Sequence, residues 1–235
     1  MRIVVDHLTR MDRSYICVAG VDVLTGAHVR PVVDHRMSEH LLRRFGGPFD
    51  IGALVDIGDV RSVGKPPMVE DHSFSVSGAQ RLKDISPTVF WRMLEKVARD
   101  DLHVIFGADL ERRGRTYTLN SGQGQASLGC LRATGARIEC DPEFGKLRLA
   151  LPDPRGPLSL SLTDLRLYER DHETIRGDLV GAINARLAAG TPLVVCVGLG
   201  RPYKKLGDTA WRHWLQANNL HLADQPLWQE GTIAE

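Results

Sequence analysis

The chain has 235 residues, of which 43% are hydrophobic and 25% charged, and its formal net charge is +1. This composition is typical of a globular protein with one large domain or two small ones. A net charge near zero excludes a global attraction to nucleic acid, so any such contact must come from a local basic patch. Since no apolar run approaches the roughly 18–20 residues of a membrane span, we expect no membrane association.

The N-terminal half is predicted to consist of short strands followed by one helix. The helix, at 87–99, has Ser86 as N-cap and Pro87 in its first position, and apolar residues recur behind them at helical spacing. A short helix or an irregular loop is expected at 35–44, and a polar loop at 70–74. The predicted strands are 2–8, 14–23, 27–33 and 53–63.

The C-terminal half repeats this pattern of strands around one helix. The helix, at 173–189, ends at Gly190 with Pro192 beyond it. A final apolar strand, 193–197, leads into a turn and a second segment, 211–222. The other predicted strands are 102–106, 116–119, 126–134, 137–140, 146–151, 158–162 and 165–168.

This order of elements predicts a mainly β fold with two helices. Few βαβ alternations occur, so a parallel sheet is not favoured, and many short strands favour two small barrels or sandwiches. We place the units at 1–101 and 102–235. A weak internal echo supports two units, since an apolar strand runs into Arg30-Pro31 in the first half and into Arg201-Pro202 in the second.

The turn and segment near the C-terminus carry the main candidates for ligand binding. Cations suit anions, while aromatic faces and amides suit flat, hydrogen-bonding groups such as bases. The alternative is an ordinary hairpin with core tryptophans and turn-forming asparagines. The candidate residues are Arg201, Tyr203, Lys204, Lys205, Trp211, Trp214, Gln216, Asn218 and Asn219.

Arginines beside prolines form a second set of candidates. Proline fixes the backbone at the end of a strand, so the preceding guanidinium of Arg30 or Arg201 is held in place for a planar anion or a base. The alternative for each is a salt bridge at the rim. Further basic clusters occur at 43–44 and 112–115, where cations provide the local charge that phosphate contacts need.

The sequence Glu70-Asp71-His72 is the best candidate for metal ligation or acid–base catalysis, because three ionisable groups fall together. The alternatives are a solvated loop or an internal partner for an arginine such as Arg30. Other motifs are absent or incomplete: the chain has no Walker loop and no nucleophile elbow, and neither Gly-x-Gly pair opens a helix in a βαβ unit. His172-Glu173 is interpreted as a cap of the second helix.

The four cysteines are scattered without the C-x-x-C spacing of many metal and redox sites. They stand at positions 17, 130, 140 and 196, and three of them lie in apolar surroundings that resemble strands. The first residues lead directly into a predicted strand, without the apolar core of a signal peptide. We therefore expect buried thiols in a reducing cytoplasm.

Several short blocks together resemble the bacterial dual OB-containing domain family. They are Cys17–Gly20, Gly26–Val32, Glu70–His72, Leu199–Pro202 and Trp214–Leu222. The resemblance implies two OB-like five-stranded barrels packed together in one cytoplasmic chain, and a role in binding nucleic acid or nucleotides, often beside defence genes. It implies no catalytic residues, and the chain departs from the family pattern at His28 and Gly200.

The leading hypothesis is therefore a non-catalytic binding module for single-stranded nucleic acid or a nucleotide-like ligand, without a cofactor or a resident metal. Arg30 and Arg201 would contact phosphate or a base edge, an aromatic such as Trp214 would stack on a base, and the amides would read polar edges. Two alternatives stay open. One is a metal-dependent enzyme acting on nucleotides or nucleic acid through Glu70, Asp71 and His72, and the other is a scaffold that docks a protein partner.

Overall fold

A computed structural model describes residues 1–141, 143–205 and 207–229 of the chain. The mainly β class is confirmed, with two curled sheets packed together, one of them a half-barrel. Each sheet has eight strands where five were expected, because segments of two or three residues, such as Met37–Ser38 and Arg61–Ser62, add to the longer ones.

The first sheet, which we call the N-terminal sheet, is built from the first 84 residues. Its strands are β1 (Arg2–Arg10), β2 (Tyr15–Asp22), β3 (His28–Val32), β4 (Met37–Ser38), β5 (Ala53–Asp56), β6 (Arg61–Ser62), β7 (Asp71–Ser73) and β8 (Gln80–Asp84). They are ordered β6-β7-β3-β2-β1-β5-β8, and β4 pairs with β2. In the turn between β2 and β3, Gly26 takes a positive φ, which glycine adopts without strain.

The second sheet, which we call the C-terminal sheet, contains the remaining strands. They are β9 (Glu111–Arg113), β10 (Thr116–Asn120), β11 (Leu128–Ala133), β12 (Arg137–Asp141), β13 (Lys146–Leu151), β14 (Leu158–Leu162), β15 (Leu193–Leu199) and β16 (Arg212–Leu222). The order is β11-β15-β16-β14-β13-β12, and β10 joins β9 to β16. The long strand β16 therefore contacts β15, β14 and β10.

Three helices accompany the sheets: α1 (Pro87–Val97), α2 (Leu102–Phe106) and α3 (Gly177–Ala188). The predicted cap of α1 is confirmed, since the Ser86 hydroxyl accepts a hydrogen bond from the backbone N–H of Val89 at 3.4 Å. Among the residues that the structure describes, no helix has the length and apolar character to cross a membrane.

Several predicted elements differ in the structure. The strand expected at 102–106 is α2, because the Asp101 carboxylate caps the N–H of His103 at 2.6 Å. The loop expected at 70–74 contains β7, which pairs in parallel with β3. The strand expected at 165–168 is a 3-10 turn capped by Asp164. The helix α3 begins at Gly177 instead of 173, so His172 and Glu173 do not cap it.

The two sheets share part of their hydrophobic core. Phe90 and Leu94 of α1 pack in one cluster with the N-terminal sheet and with Cys130, Val194 and Cys196 of the C-terminal sheet. The boundary between 101 and 102 therefore stays a prediction. The last residues of the predicted second unit, 230–235, lie outside the described residues.

Asn219 connects the sheets in the way that a neighbouring strand would. Its side chain is fully buried, its Oδ1 accepts from the N–H of Leu8 at 2.7 Å, and its Nδ2 donates to the carbonyl of Leu8 at 3.2 Å. The amide thus satisfies one backbone donor and one backbone acceptor of β1. This pairing holds β1 against β16.

We predict that Asn219→Ala lowers the free energy of unfolding by about 3 kcal/mol, because each buried backbone group left unpaired costs about 1–3 kcal/mol. Denaturant titration measures the loss. Asn184→Ala is a matched control: Asn184 makes the same two bonds to Ile138, at 2.8 and 2.9 Å, but is only half-buried, so its loss should be smaller. Equal losses for the two variants would contradict this account.

Candidate ligand-binding cleft

A cavity of about 550 Å³ opens between the two sheets. This volume lies within the range of about 300–1,000 Å³ that is usual for small-ligand sites. The N-terminal sheet contributes the β1–β2 turn, β3 and the segment after it, and the C-terminal sheet contributes the ends of β11 and β15 and the middle of β16. We call this cavity the cleft. Four predicted ligand-binding residues line it: Arg30, Arg201, Gln216 and Asn218.

Arg30 and Arg201 meet at one carboxylate. The Nε of Arg30 lies 2.5 Å from Oδ1 of Asp71, and Nη2 of Arg201 lies 2.8 Å from Oδ2 of the same residue. Arg30 and Asp71 are buried, whereas the side chain of Arg201 is 60% exposed. The buried pair fixes the position of Asp71, and Asp71 in turn holds Arg201 at the cleft while leaving most of its guanidinium accessible.

Glu70 and His72 have internal contacts of their own. The carboxylate of Glu70 accepts from the N–H of Ser127 at 2.8 Å, from the Ser127 hydroxyl at 2.6 Å and from the N–H of Leu128 at 3.2 Å. His72 Nδ1 lies 2.8 Å from the carbonyl of Glu70. The alternative of an internal partner for Arg30 is confirmed by Asp71, and the catalytic role of all three residues stays a prediction.

Gln216 and Asn218 bring two amide groups to the cleft. Asn218 is the extra residue of a β-bulge, since Val197 pairs with Ala217 and Cys196 with Asn219. Neither amide has a hydrogen-bond partner within the described part of the chain. Asn218 is only 8% exposed, and its Nδ2 lies over Gly198, where a Cβ would collide with it. The bulge therefore directs an unpaired amide into an enclosed space.

The rest of the lining is mostly apolar, with Ile16, Val33, Met37 and Leu128 among the contributors. Cys17 also faces the cleft, and burial raises the pKa of its thiol against the opposing effect of Arg30 and Arg201. The thiol is therefore neutral at physiological pH. The cleft thus combines an apolar wall, two unpaired amides and two exposed arginines, Arg36 and Arg201.

The predicted aromatic residues lie apart from the cleft. Trp214 lines a second cavity of about 540 Å³ on the C-terminal sheet, which we call the basic groove. Lys205 Nζ lies 3.4 Å from the centre of the Trp214 ring, and the Tyr203 ring lies 5.8 Å from it. Trp211 is 59% exposed. Neither Trp211 nor Lys204 lines the cleft or the basic groove.

Three arginines complete the basic groove. Arg113 pairs with Asp208 at 3.2 Å, and Arg148 donates to the Ser159 hydroxyl at 2.7 Å. Arg115 is exposed and has no hydrogen bond or ion pair within the described residues. Two basic clusters of the sequence, 112–115 and 201–205, therefore come together here. Arg148 was not among the predicted residues, because it stands alone in a β-strand.

The cleft and the basic groove are connected by one face of β16. Trp214, Gln216 and Asn218 are two residues apart, so their side chains project from the same face of the strand. Trp214 lies in the groove, Asn218 in the cleft, and Gln216 between them. The span from Trp214 to Asn218 is about 13 Å at about 3.3 Å per residue. Asn219 is held in its contact with β1 and lines neither the cleft nor the basic groove.

No known family model matches the chain, and no curated protein matches it either. Among solved structures, the chain is similar to the crystal structure of the tetrameric p202 HIN2, with a TM-score of 0.34 and 12% sequence identity. The similarity covers 94% of this chain and 90% of that chain. At this level it carries no functional argument, so function follows from the chemistry of the cleft and the groove.

We predict that Asp71→Ala lowers the free energy of unfolding by about 3–5 kcal/mol, because it leaves the Arg30 guanidinium buried without a counter-charge. Arg201→Ala is the matched control and should cost less than about 1 kcal/mol, since Arg201 is largely exposed. Denaturant titration compares the two variants. A loss for Arg201→Ala as large as that for Asp71→Ala would show that Arg201 is a structural residue.

Proposed function

We propose that the chain binds a nucleotide unit in the cleft, either as a free nucleotide or as one position of a single-stranded nucleic acid. The observation that carries this proposal is the pair of unpartnered amides, Gln216 and Asn218, in a cavity of about 550 Å³ with Arg201 beside them. Amides read the polar edges of bases, and a guanidinium suits phosphate oxygens. The resemblance to the dual OB-containing domain family stays a prediction.

Arg201 is the group that meets phosphate. A guanidinium has five N–H donors, and the contact with Asp71 is made through Nη2. Arg30 has a different role, because it is buried and directs its Nε to Asp71 and its Nη2 to the Ser127 hydroxyl at 3.2 Å. Arg30 therefore positions Asp71, and Arg201 contacts the ligand.

Asn218 and Gln216 recognise the base, and the apolar wall covers its faces. An amide offers one acceptor and two donors, so Asn218 matches the mixed donor and acceptor edge that every base presents. The two amides have no hydrogen-bond partner within the described residues, so both are available to a base edge. The described lining of the cleft contains no Phe, Tyr or Trp, so stacking on an indole takes place in the groove at Trp214.

A single strand would leave the cleft along β16 toward the basic groove. Gln216 lies on this path, and Lys205, Arg115 and Arg148 supply the cations that follow a phosphate backbone. Lys205 now covers the ring of Trp214. A stacking base would displace its flexible side chain, and the displaced ammonium would remain close to the phosphates.

We predict different salt dependences for two variants of the cleft. Arg201→Ala should weaken binding of a short single strand about 10- to 100-fold, because a charged hydrogen bond contributes about 1.5–3 kcal/mol. It should also flatten the slope of the logarithm of the binding constant against the logarithm of the salt concentration by about 0.7, since one phosphate contact is lost. Asn218→Ala should weaken binding about 2- to 10-fold without changing the slope. Fluorescence anisotropy at several salt concentrations measures both quantities.

Arg137→Ala is the control for that experiment, because it removes the same charge from an exposed site on β12. This variant should bind the short single strand with the same affinity and the same salt dependence as the unaltered protein. If Asn218→Ala and Arg201→Ala also bind mononucleotides and oligonucleotides as the unaltered protein does, the cleft is not the site. Analysis of what the purified protein releases on denaturation tests the same proposal without variants.

The length of the ligand separates a free nucleotide from a nucleic acid. We predict that Arg115→Ala weakens binding of oligonucleotides that reach the basic groove and leaves mononucleotide binding unchanged, because Arg115 lines only the groove. Titration with strands of increasing length measures the difference. If affinity does not rise with length in the unaltered protein, the ligand is a free nucleotide and the groove does not contribute.

A further inference from the structure

A second cluster of polar side chains lies buried between the sheets, apart from the residues that line the cleft. Asp6 and His7 come from β1, His28 from β3, Cys130 from β11 and Cys196 from β15. Asp6 is the extra residue of a β-bulge, since Val5 pairs with Gly20 and His7 with Ala19. The bulge allows two consecutive side chains of β1 to take part. All five residues are fully buried except His28, whose side chain is 11% exposed.

The charge of Asp6 needs compensation at this position. The residue has no exposed surface, and within the described residues no lysine or arginine forms an ion pair with it. Its nearest ionisable neighbours are His7 Nδ1 at 2.8 Å and His28 Nε2 at 3.2 Å. A buried carboxylate is strongly unfavourable without a cation or a metal ion. The cluster is therefore built to hold a positive charge.

The distances among Asp6, His28 and Cys130 fit a small, tetrahedral metal ion, and Cys196 lies beside them, where it would have to turn toward His28 to become the fourth ligand. Asp6 Oδ2 lies 3.2 Å from His28 Nε2 and 3.6 Å from Cys130 Sγ, which is itself 3.6 Å from His28 Nε2. Cys196 Sγ lies 3.6 Å from Cys130 Sγ and 3.9 Å from Asp6 Oδ2. Bonds of about 2.0–2.1 Å to nitrogen or oxygen and about 2.3 Å to sulfur put tetrahedral ligands about 3.3–3.8 Å apart.

We propose that Asp6, His28, Cys130 and Cys196 form a structural zinc site that joins the two sheets. Two thiolates, one imidazole and one carboxylate are ligands that suit Zn²⁺ and disfavour Mg²⁺ and Ca²⁺. Neither sheet has all four ligands, because the carboxylate and the imidazole come from the N-terminal sheet and both thiolates from the C-terminal sheet. The partly exposed edge of His28 gives the ion a path of entry.

His7 supports the site from outside. Its Nδ1 lies 2.8 Å from Oδ1 of Asp6, the oxygen that faces away from the other ligands, and its Nε2 is buried without a partner in the described structure. A hydrogen bond to the second oxygen of a ligating carboxylate fixes the orientation of that ligand. His7 is therefore a positioning residue.

Metal content of the purified full chain, kept reduced, tests the proposal directly. We expect about one zinc ion per chain, and we expect a chelator to lower the melting temperature, because an ion that binds only the folded state stabilises it. Replacing zinc with Co²⁺ should give the intense absorption of cobalt–thiolate bonds. Metal content well below stoichiometry, with no such absorption when Co²⁺ is added, would overturn the proposal, as would a resident disulfide between Cys130 and Cys196.

Variants identify the ligands. Cys130→Ser and Cys196→Ser should each remove most of the zinc and weaken the cobalt absorption, whereas Cys140→Ser, at an exposed thiol outside the cluster, should change neither. His7→Ala should lower zinc affinity about 10- to 100-fold while keeping the cobalt–thiolate absorption, as expected of a residue that acts through Asp6. If Cys140→Ser loses the metal and Cys196→Ser keeps it, the assignment of the ligands is wrong. The cobalt spectrum of the unaltered protein decides the question even if a variant does not fold.

Discussion

The arrangement of the cleft depends on one buried carboxylate that holds a cation from each sheet. Asp71 receives Arg30 at 2.5 Å from the N-terminal sheet and Arg201 at 2.8 Å from the C-terminal sheet. The position of Asp71 follows from the parallel pairing of β7 with β3, which places Asp71 opposite Arg30. The Arg30 guanidinium is buried by this contact, whereas the side chain of Arg201 stays 60% exposed. The same contacts thus close the core and leave an accessible guanidinium at the opening of the cleft.

The contact between the sheets is more polar than a simple hydrophobic interface, and this determines how the sheets are joined. Burial of apolar surface is non-directional, whereas hydrogen bonds weaken steeply when their angles change. The bonds of Asn219 to Leu8, of Glu70 to Ser127 and of Arg201 to Asp71 therefore select one relative position of the two sheets. The cleft lies between those sheets, so its shape is fixed by residues that do not contact a ligand.

The sequence predicted those parts of the fold that depend on local patterns. The strands β1, β2 and β3 were predicted correctly, and Ser86-Pro87 correctly placed the start of α1. The strand β7 was missed because its three residues are polar and are held by pairing with β3, a contact that no local pattern shows. The repeat of Arg-Pro correctly singled out two arginines, but their common partner Asp71 was visible only in the folded chain. The cluster around Asp6 was missed for the same reason, since its members lie on four strands distributed along the whole sequence.

The proposed zinc site and the cleft are neighbours along the same strands. His28 precedes Arg30 by two residues on β3, Leu128 precedes Cys130 on β11, and Cys196 precedes Gly198, which supports Asn218, on β15. Residues two apart on a strand project from one face at a separation of about 6–7 Å. Three strands therefore carry both a ligand of the metal and a part of the cleft wall. A shift of β11 or β15 at the metal must move Leu128 or Gly198, and so the position of the Asn218 amide depends on the state of the cluster.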